Sequence, residues 1–334
     1  MFTRRDFLLG SSALAAAAWA GRPLANSLVT EGSLRLAGPP ASVSNPLIHL
    51  AAQGRWPGLA QDIRFRSWTD PDQLRALALR KEADFVAMPT NVAANLYNRG
   101  LPLKLVNVSV WGILYMVSRD AARSRMEDYV GEEIAMPFRE DMPDLLFQDV
   151  AEALGLDVRK DFKLRYVATP MDAMQLLITR RVDHALLAEP AVSMALHKTH
   201  TLPVSVIAPE LHRAMDLQAE WARALGRAPR IPQAGIVALG EAADDAERLA
   251  RFRQAHDEAS AWCQANHAAC GAEVAAAEPR LAAEAVAASL DVVKLEGVSA
   301  AEAKAELMFL FERLHRRNPQ LVGGKLPDDG FFAA

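Results

Sequence analysis

Short apolar segments alternate with longer amphipathic segments from residue 33 to residue 208, and this alternation constrains the fold more than any other feature. Strands are predicted at 33–37, 62–68, 83–88, 103–110, 111–118, 133–137, 162–167, 182–187 and 204–208. Predicted helices lie between most of them. The alternation of strand and helix predicts an α/β fold with two successive units, each a mostly parallel sheet flanked by helices.

The C-terminal part differs in composition and in predicted secondary structure. Residues 241–316 are rich in Ala, Glu and Arg and predict several helices, which we expect to pack back on the first unit. The expected organisation is therefore lobe one at 30–114, lobe two at 115–241, a helical return to lobe one at 242–320 and a loose tail at 321–334. Two lobes joined by strands, without a low-complexity linker, are typical of a hinge.

Composition excludes several classes of protein. The chain has 334 residues, 51% of them apolar, and a formal net charge of -4, which excludes a disordered chain and a general binder of nucleic acids. Its two cysteines exclude a disulfide-dense scaffold. No apolar run reaches the roughly 18–20 residues that a membrane span needs.

Residues 1–20 have the features of a twin-arginine signal peptide. Adjacent arginines at Arg4 and Arg5 precede an apolar stretch, and small residues at Ala18 and Ala20 suit a signal peptidase. No cysteine lies near the expected cleavage site, so a lipid anchor is not expected. The sequence thus predicts export to the periplasm as a soluble protein that is not a lipoprotein.

Prolines mark the starts of predicted helices. Pro46, Pro143, Pro170 and Pro190 each follow a strand or short loop, at the helical position where a missing N–H is tolerated. In open parallel sheets these strand-to-helix loops lie at the carboxyl edge, where ligands bind. Two such units facing each other would form a cleft lined by these loops.

The order of several motifs resembles a known family. The motifs are GPPASVSNPL (38–47), ADFVAMPTN (83–91), GLPLKLV (100–106), EEIAMPF (132–138), PMDAMQLL (170–177) and RVDHALLAEP (181–190). In this order they resemble the periplasmic substrate-binding proteins of ABC importers, in the nitrate/sulfonate/taurine-like group. That group has the type II periplasmic binding protein fold, which is shared by pyrimidine-precursor binders.

The resemblance implies two lobes that close on a small polar molecule by hinge motion, with the C-terminal helices on lobe one. The molecule would be a sulfonate, nitrate, a carboxylate or a pyrimidine-like compound, delivered to an inner-membrane ABC permease and its ATPase. No nucleic acid, cofactor or metal is implied, and we expect a monomer that is not an enzyme. By position, the ligand contacts would be Ser42, Ser44, Asn45, Pro89, Thr90, Asn91, Trp111, Arg139, Asp141, Thr169 and Glu189.

One segment departs from the family pattern. Sulfonate and nitrate binders tend to have small residues where this chain has Phe138 to Asp144. Asp141 and Asp144 at a helix start would repel an anion, while Arg139 would offset this by two-pronged binding. A zwitterionic, cationic or neutral aromatic ligand is therefore as consistent with the sequence as a small anion.

Other interpretations of the sequence stay open. A periplasmic ligand sensor or accessory protein of the same fold fits the sequence, and an enzyme of the pyrimidine-precursor synthase type fits it less well, because the cysteine-rich cluster of those enzymes is absent. Cys263 and Cys270 would lie roughly 10.5 Å apart on one straight helix, but a break at Asn266–His267 leaves a disulfide open. His184 lies in a predicted buried strand, which favours a core role over that of a base.

Overall fold

The computed structural model describes residues 31–201 and 210–333. The predicted signal peptide at 1–20 and the predicted strand at 204–208 lie outside these residues. Within them no helix is long and apolar enough to cross a membrane.

The strands are β1 (Glu31–Gly38), β2 (Ala60–Ser67), β3 (Phe85–Pro89), β4 (Leu103–Val110), β5 (Leu114–Ser118), β6 (Glu133–Pro137), β7 (Lys163–Val167), β8 (His184–Ala188), β9 (His212–Asp216), β10 (Ala234–Leu239) and β11 (Leu295–Ser299). Six form one sheet in the order β11-β4-β10-β3-β1-β2, and five form a second in the order β7-β6-β8-β5-β9. In the first sheet β1 runs parallel to β2 and β3, while β10 and β11 run antiparallel to their neighbours. In the second, β6 is parallel to β7 and β8, and β5 is antiparallel to β8 and β9.

The helices are α1 (Asn45–Ala52), α2 (Pro71–Leu79), α3 (Thr90–Asn98), α4 (Met142–Ala153), α5 (Val158–Asp161), α6 (Pro170–Ile178), α7 (Ala191–His200), α8 (Leu217–Leu225), α9 (Glu241–Asp244), α10 (Ala246–Ala265), α11 (His267–Ala277), α12 (Ala283–Ser289) and α13 (Lys304–Arg317). Proline stands in the first turn of α1, α4 and α6, as the sequence predicts, and also in that of α2. Pro190, which was also expected to open a helix, is instead the N-cap residue of α7 and precedes its first turn. Buried apolar side chains form two clusters, and each cluster contains residues of both sheets. The α/β fold class predicted from the sequence is confirmed.

Two crossovers connect the sheets. The chain leaves β4 for β5 through residues 111–113, and returns from α8 to β10 through residues 226–233. The amide N–H of Ile231 donates to the carbonyl of Trp111 at 3.0 Å, so the crossovers lie side by side. Gly112 has a φ of 111°, and a Cβ there would lie 2.2 Å from the Gln218 side chain. Only glycine fits this point of the hinge.

The C-terminal segment returns to lobe one, because β11 pairs with β4 and α10 packs on α1. Phe252 of α10 stacks on Phe85 of β3 with ring centroids 3.7 Å apart. The segment also reaches lobe two, which the sequence did not suggest. Arg313 of α13 donates to Asp149 of α4 at 2.7 Å, and α12 contacts α7.

The last residues differ from the loose tail expected at 321–334. Phe331 is fully buried against Tyr97 and Phe311, and the N–H of Ala333 donates to the Leu105 carbonyl at 2.9 Å. The aromatic pair Phe331-Phe332 supplies apolar area that outweighs the glycines and prolines before it. These residues therefore close one end of lobe one.

Candidate functional site

A cleft lies between the lobes, at the carboxyl ends of the parallel strands. Its walls come from the β1–α1, β2–α2 and β3–α3 loops of lobe one and the β6–α4, β7–α6 and β8–α7 loops of lobe two. The cleft contains about 1020 Å³ of space between atoms, including the part open to solvent. Its position is the one that open α/β sheets use for ligands.

Most of the lining is apolar. It consists of Pro39, Pro40, Ala41, Val43, Trp68, Pro71, Leu74, Met88, Pro89, Val92, Ile113, Phe138, Met142, Pro143, Pro170, Met171, Ala188, Ala191 and Ala234, with Thr69, Asp141, Thr169, Glu189, Gln233 and Arg280 as the polar members. Methionine and aromatic side chains supply polarisable surface that adapts to flat, apolar groups.

Two of the helix starts that face the cleft, those of α2 and α6, are capped by side chains of the chain itself. At the start of α6, the Thr169 hydroxyl accepts from the Asp172 N–H, and the Asp172 carboxylate accepts from the Thr169 N–H at 3.0 Å. The Asp70 carboxylate caps α2 by accepting from the N–H groups of Asp72 and Gln73. Because these side chains already accept hydrogen bonds there, the N–H groups are less available to an anionic ligand.

Glu189 is buried, and its carboxylate has a structural role. Its carboxylate accepts from the Ser193 N–H at 3.0 Å and from the guanidinium of Arg213, which also lies over the Tyr115 ring. Its backbone carbonyl accepts from the Ser42 N–H of lobe one at 3.4 Å. Glu189 thus organises the lobe-two wall of the cleft and contacts lobe one through its main chain.

Asp141 is the N-cap residue of α4 and faces lobe one. Its side chain is 12% exposed, and its Oδ1 lies 3.4 Å from Nη2 of Arg75 on α2. Burial raises the pKa of Asp141, and the positive charge of Arg75 opposes that rise. The Arg75–Asp141 pair therefore joins the two lobes beside the cleft.

The loop that carries Asp141 has an unusual backbone. Phe138 and Glu140 have φ angles of 57° and 61°, in the left-handed region that glycine adopts without strain. A bulky residue costs roughly 1–2 kcal/mol in this region. Phe138 keeps this conformation while its side chain lines the cleft.

The structure matches solved proteins across nearly the whole chain, although no family model and no curated protein matches its sequence. An ABC transporter protein from Parabacteroides distasonis is 21% identical, with a TM-score of 0.71 over 91% of this chain and 99% of its own. The periplasmic aliphatic sulphonate binding protein from Escherichia coli is 19% identical, with a TM-score of 0.65 over 90% and 97%. The periplasmic nitrate-binding protein from Synechocystis is 13% identical, with a TM-score of 0.63 over 86% and 82%. The chain has the two-lobe fold of periplasmic solute-binding proteins. The resemblance inferred from the motifs is confirmed at the level of the fold.

Within this solute-binding fold, four of the predicted contact residues line the cleft. They are Pro89, Asp141, Thr169 and Glu189. Asp141 presents a carboxylate there, whereas the side-chain oxygens of Thr169 and Glu189 are taken up by the contacts described above. Ligand contact by these residues stays a prediction.

The predicted residues of the β1–α1 loop lie just behind the cleft wall. Ser42, Ser44 and Asn45 are buried, and Ser44 donates its hydroxyl to the Pro39 carbonyl at 2.6 Å. Among the described residues, the Ser42 hydroxyl and the Asn45 amide nitrogen have no hydrogen-bond partner. Their neighbours Ala41 and Val43 form the surface of the cleft at this point.

The remaining predicted residues lie at the hinge or outside the cleft. Thr90 donates its hydroxyl to the Pro232 carbonyl at 2.7 Å, and the Trp111 ring lies 3.8 Å from the Arg230 guanidinium carbon. Asn91 lines a neighbouring groove. Arg139 lies over the Tyr166 ring in a separate polar depression, so it does not offset the acidic residues inside the cleft.

Several lining residues were not predicted from the sequence. Trp68, Met88 and Phe138 stand at or beside strand ends, and Met142 and Met171 stand in the first turn of α4 and α6. Their position after a strand could have identified them, because the helix-start prolines had already located the cleft edge.

The two cysteines lie at the junction of α10 and α11. Cys263 and Cys270 are buried free thiols, and the hydrogen bond between them, together with burial, raises the pKa of Cys263. The break at Asn266 brings them together, as the sequence suggested. Pairing between them stays a prediction.

The described residues contain no group of three or more His, Cys, Asp or Glu side chains that could hold a metal ion.

Proposed function

We propose that the chain is the solute-binding component of an ABC importer, which captures a small molecule between its lobes and delivers it to an inner-membrane permease and its ATPase. The observation that carries the proposal is a cleft lined from both lobes and spanned by contacts between them, at Arg75–Asp141 and at Ser42–Glu189. A molecule bound there would contact both lobes and stabilise the closed arrangement. The sulphonate- and nitrate-binding proteins with this fold support the same role.

Binding without catalysis is part of the proposal. In the part of the chain that the structure describes, the residues that line the cleft include no histidine, cysteine, serine, lysine or tyrosine. Of its two carboxylates, that of Glu189 is held by Arg213 and the Ser193 N–H. Such a lining offers no paired nucleophile and base for covalent catalysis.

The proposed location is the periplasm. Residues 1–20 carry the adjacent arginines Arg4 and Arg5, and the fold is that of periplasmic binding proteins. Replacing both arginines by lysine should leave unprocessed protein in the cytoplasm, which cell fractionation measures. Export of the double variant at the normal rate would argue against the twin-arginine route. We propose that the exported chain acts as a monomer.

A thermal-shift screen of residues 21–334 tests the function. The panel contains nitrate, sulfonates, carboxylates, amines and pyrimidines. A ligand at a hundred times its dissociation constant should stabilise the protein by about 2.7 kcal/mol. The ligand should also reduce the radius of gyration in X-ray scattering and emerge chemically unchanged. Turnover of the ligand would contradict the proposal, and so would binding that leaves the lobes apart.

A further inference from the structure

The charge of the cleft ligand can be inferred from the hydrogen-bonding state of the polar residues around it. This inference rests on the proposed function, since it concerns the solute held in the same cleft. Trp68, Met88 and Val92 of lobe one face Phe138, Met142 and Met171 of lobe two. A molecule that fills this space gains most from burying apolar surface against these side chains.

An anionic group would find little support there. Among the described residues that line the cleft, Arg280 is the only cationic one, and it is exposed, on the segment between α11 and α12. The start of α6 is closed by the Thr169–Asp172 capping box, and that of α2 by Asp70. A nitrate or sulfonate would lose its hydration without gaining a buried cation, which is costly.

Most polar groups in the lining are already engaged. The Thr69 hydroxyl donates to Gln73, and the Gln233 side-chain oxygen accepts from the Ile113 N–H at 3.2 Å. Thr169 is held in its capping box, and Glu189 by Arg213. The side-chain oxygens of these residues shape the wall and have little capacity left to accept a hydrogen bond from a ligand.

Asp141 is the exception. Both of its carboxylate oxygens face a single nitrogen, Arg75 Nη2, at 3.4 and 3.5 Å, and its side chain makes no capping hydrogen bond to α4. A carboxylate offers about four acceptor positions, so most of this capacity is unused. A buried acceptor with unused capacity beside an apolar cavity favours a ligand that donates hydrogen bonds.

We propose that the cleft binds an apolar molecule with an amino or ring N–H group, that this group donates to Asp141, and that the cleft rejects the matching sulfonate. The ligand class therefore differs from the anions bound by the sulphonate- and nitrate-binding proteins that share the fold. Asp141 acts as the determinant of specificity, and the methionine and aromatic lining supplies affinity.

Two phenyl compounds, one with an aminomethyl group and one with a sulfonate group, test the proposal. Benzylamine and benzenesulfonate are titrated into wild-type protein by calorimetry. Benzylamine should bind at least about 10-fold more tightly, which corresponds to 1.4 kcal/mol. Equal binding or tighter binding of benzenesulfonate would overturn the proposal, and so would an absence of benzylamine binding at millimolar concentration. These outcomes need no variant.

Two variants then test whether Asp141 is the residue that recognises the amino group. Asp141→Asn should weaken benzylamine binding about 10- to 100-fold, the effect expected for a hydrogen bond to a charged group. Glu140→Gln removes one negative charge from the same loop without touching the cleft lining, and it should change binding less than about threefold. Equal losses in both variants would overturn the role of Asp141. If Asp141→Asn does not fold, the wild-type comparison decides.

The results separate this inference from the proposed function. A sulfonate that binds and closes the lobes would defeat the inference and leave the solute-binding role intact. Failure of both ring compounds, with binding of another member of the wider panel, would do the same. Failure of the whole panel would count against both.

Discussion

Arg75 of lobe one and Asp141 of lobe two form an ion pair across the mouth of the cleft, with Nη2 and Oδ1 3.4 Å apart. The pair joins α2 to the start of α4 and lies where the lobes must separate for a ligand to enter. It is the side-chain contact whose loss most directly reports on opening.

Arg75→Gln should shift the ligand-free protein toward open conformations. Because Arg75 is 42% exposed, the pair contributes at most about 1 kcal/mol, a roughly fivefold change in the ratio of closed to open molecules. X-ray scattering should show a larger radius of gyration. Arg64→Gln is the control, since it breaks an exposed pair with Asp62 inside lobe one. A radius of gyration that is the same in both variants would mean that the pair does not hold the lobes together.

The contact between Arg313 and Asp149 ties the C-terminal helix to lobe two. The Asp149 side chain is only 7% exposed, so Arg313→Ala would leave a buried carboxylate without its cation. We expect a loss of roughly 3 kcal/mol in the free energy of unfolding, measured in urea. Adding Asp149→Asn should restore part of it, because the uncompensated charge is then gone. Lys160→Ala, which removes an exposed pair with Asp157, should leave the free energy of unfolding nearly unchanged.

The packed C-terminus predicts a large effect of Phe331→Ala. The ring is fully buried between Tyr97 and Phe311, and its removal leaves a cavity at the end of lobe one. The cost should be about 3–5 kcal/mol in urea unfolding. Val130→Ala, at a residue 46% exposed, should change stability by less than about 0.5 kcal/mol. Similar small effects in both variants would support the loose tail expected from the sequence.

Strands and helices with a local pattern could be predicted from the sequence, whereas elements defined by distant partners could not. The predicted strands at 103–110 and 133–137 coincide with β4 and β6. No strand is predicted at Leu295–Ser299, yet this segment forms β11 by pairing with the distant β4. No strand is predicted within residues 210–232, but they contain β9, which pairs with β5, and α8.

The functional site also combines features that could be predicted from local sequence with features that could not. Helix-start prolines identified the edge of the cleft, because their position depends on local backbone geometry. The direction of side chains in the β6–α4 loop could not be foreseen, because it depends on the left-handed conformations of Phe138 and Glu140. Arg139 therefore lies over Tyr166, outside the cleft, and Phe138 takes part in its lining.

His184 predicts a pH dependence of stability. It lies at the start of β8, is 4% exposed, and its Nδ1 is 3.0 Å from the Ser118 hydroxyl. Burial lowers the pKa of His184, and the positive charge of Arg123 lowers it further, while Glu132 and Asp183 oppose the change. The folded protein therefore favours the neutral imidazole that the sequence assigned to a core role.

The sign of the effect follows from this lowered pKa. As pH falls through the unfolded value of about 6.5, the unfolded chain takes up a proton that the folded chain resists. Stability contributed by neutral His184 is present above that pH and is lost below it, at no more than about 1.4 kcal/mol per pH unit. Urea unfolding of wild type and His184→Gln between pH 8 and about pH 5 measures the difference, while the other histidines contribute equally to both. A gap between the two proteins that stays constant across this range would show that His184 does not titrate differently on folding.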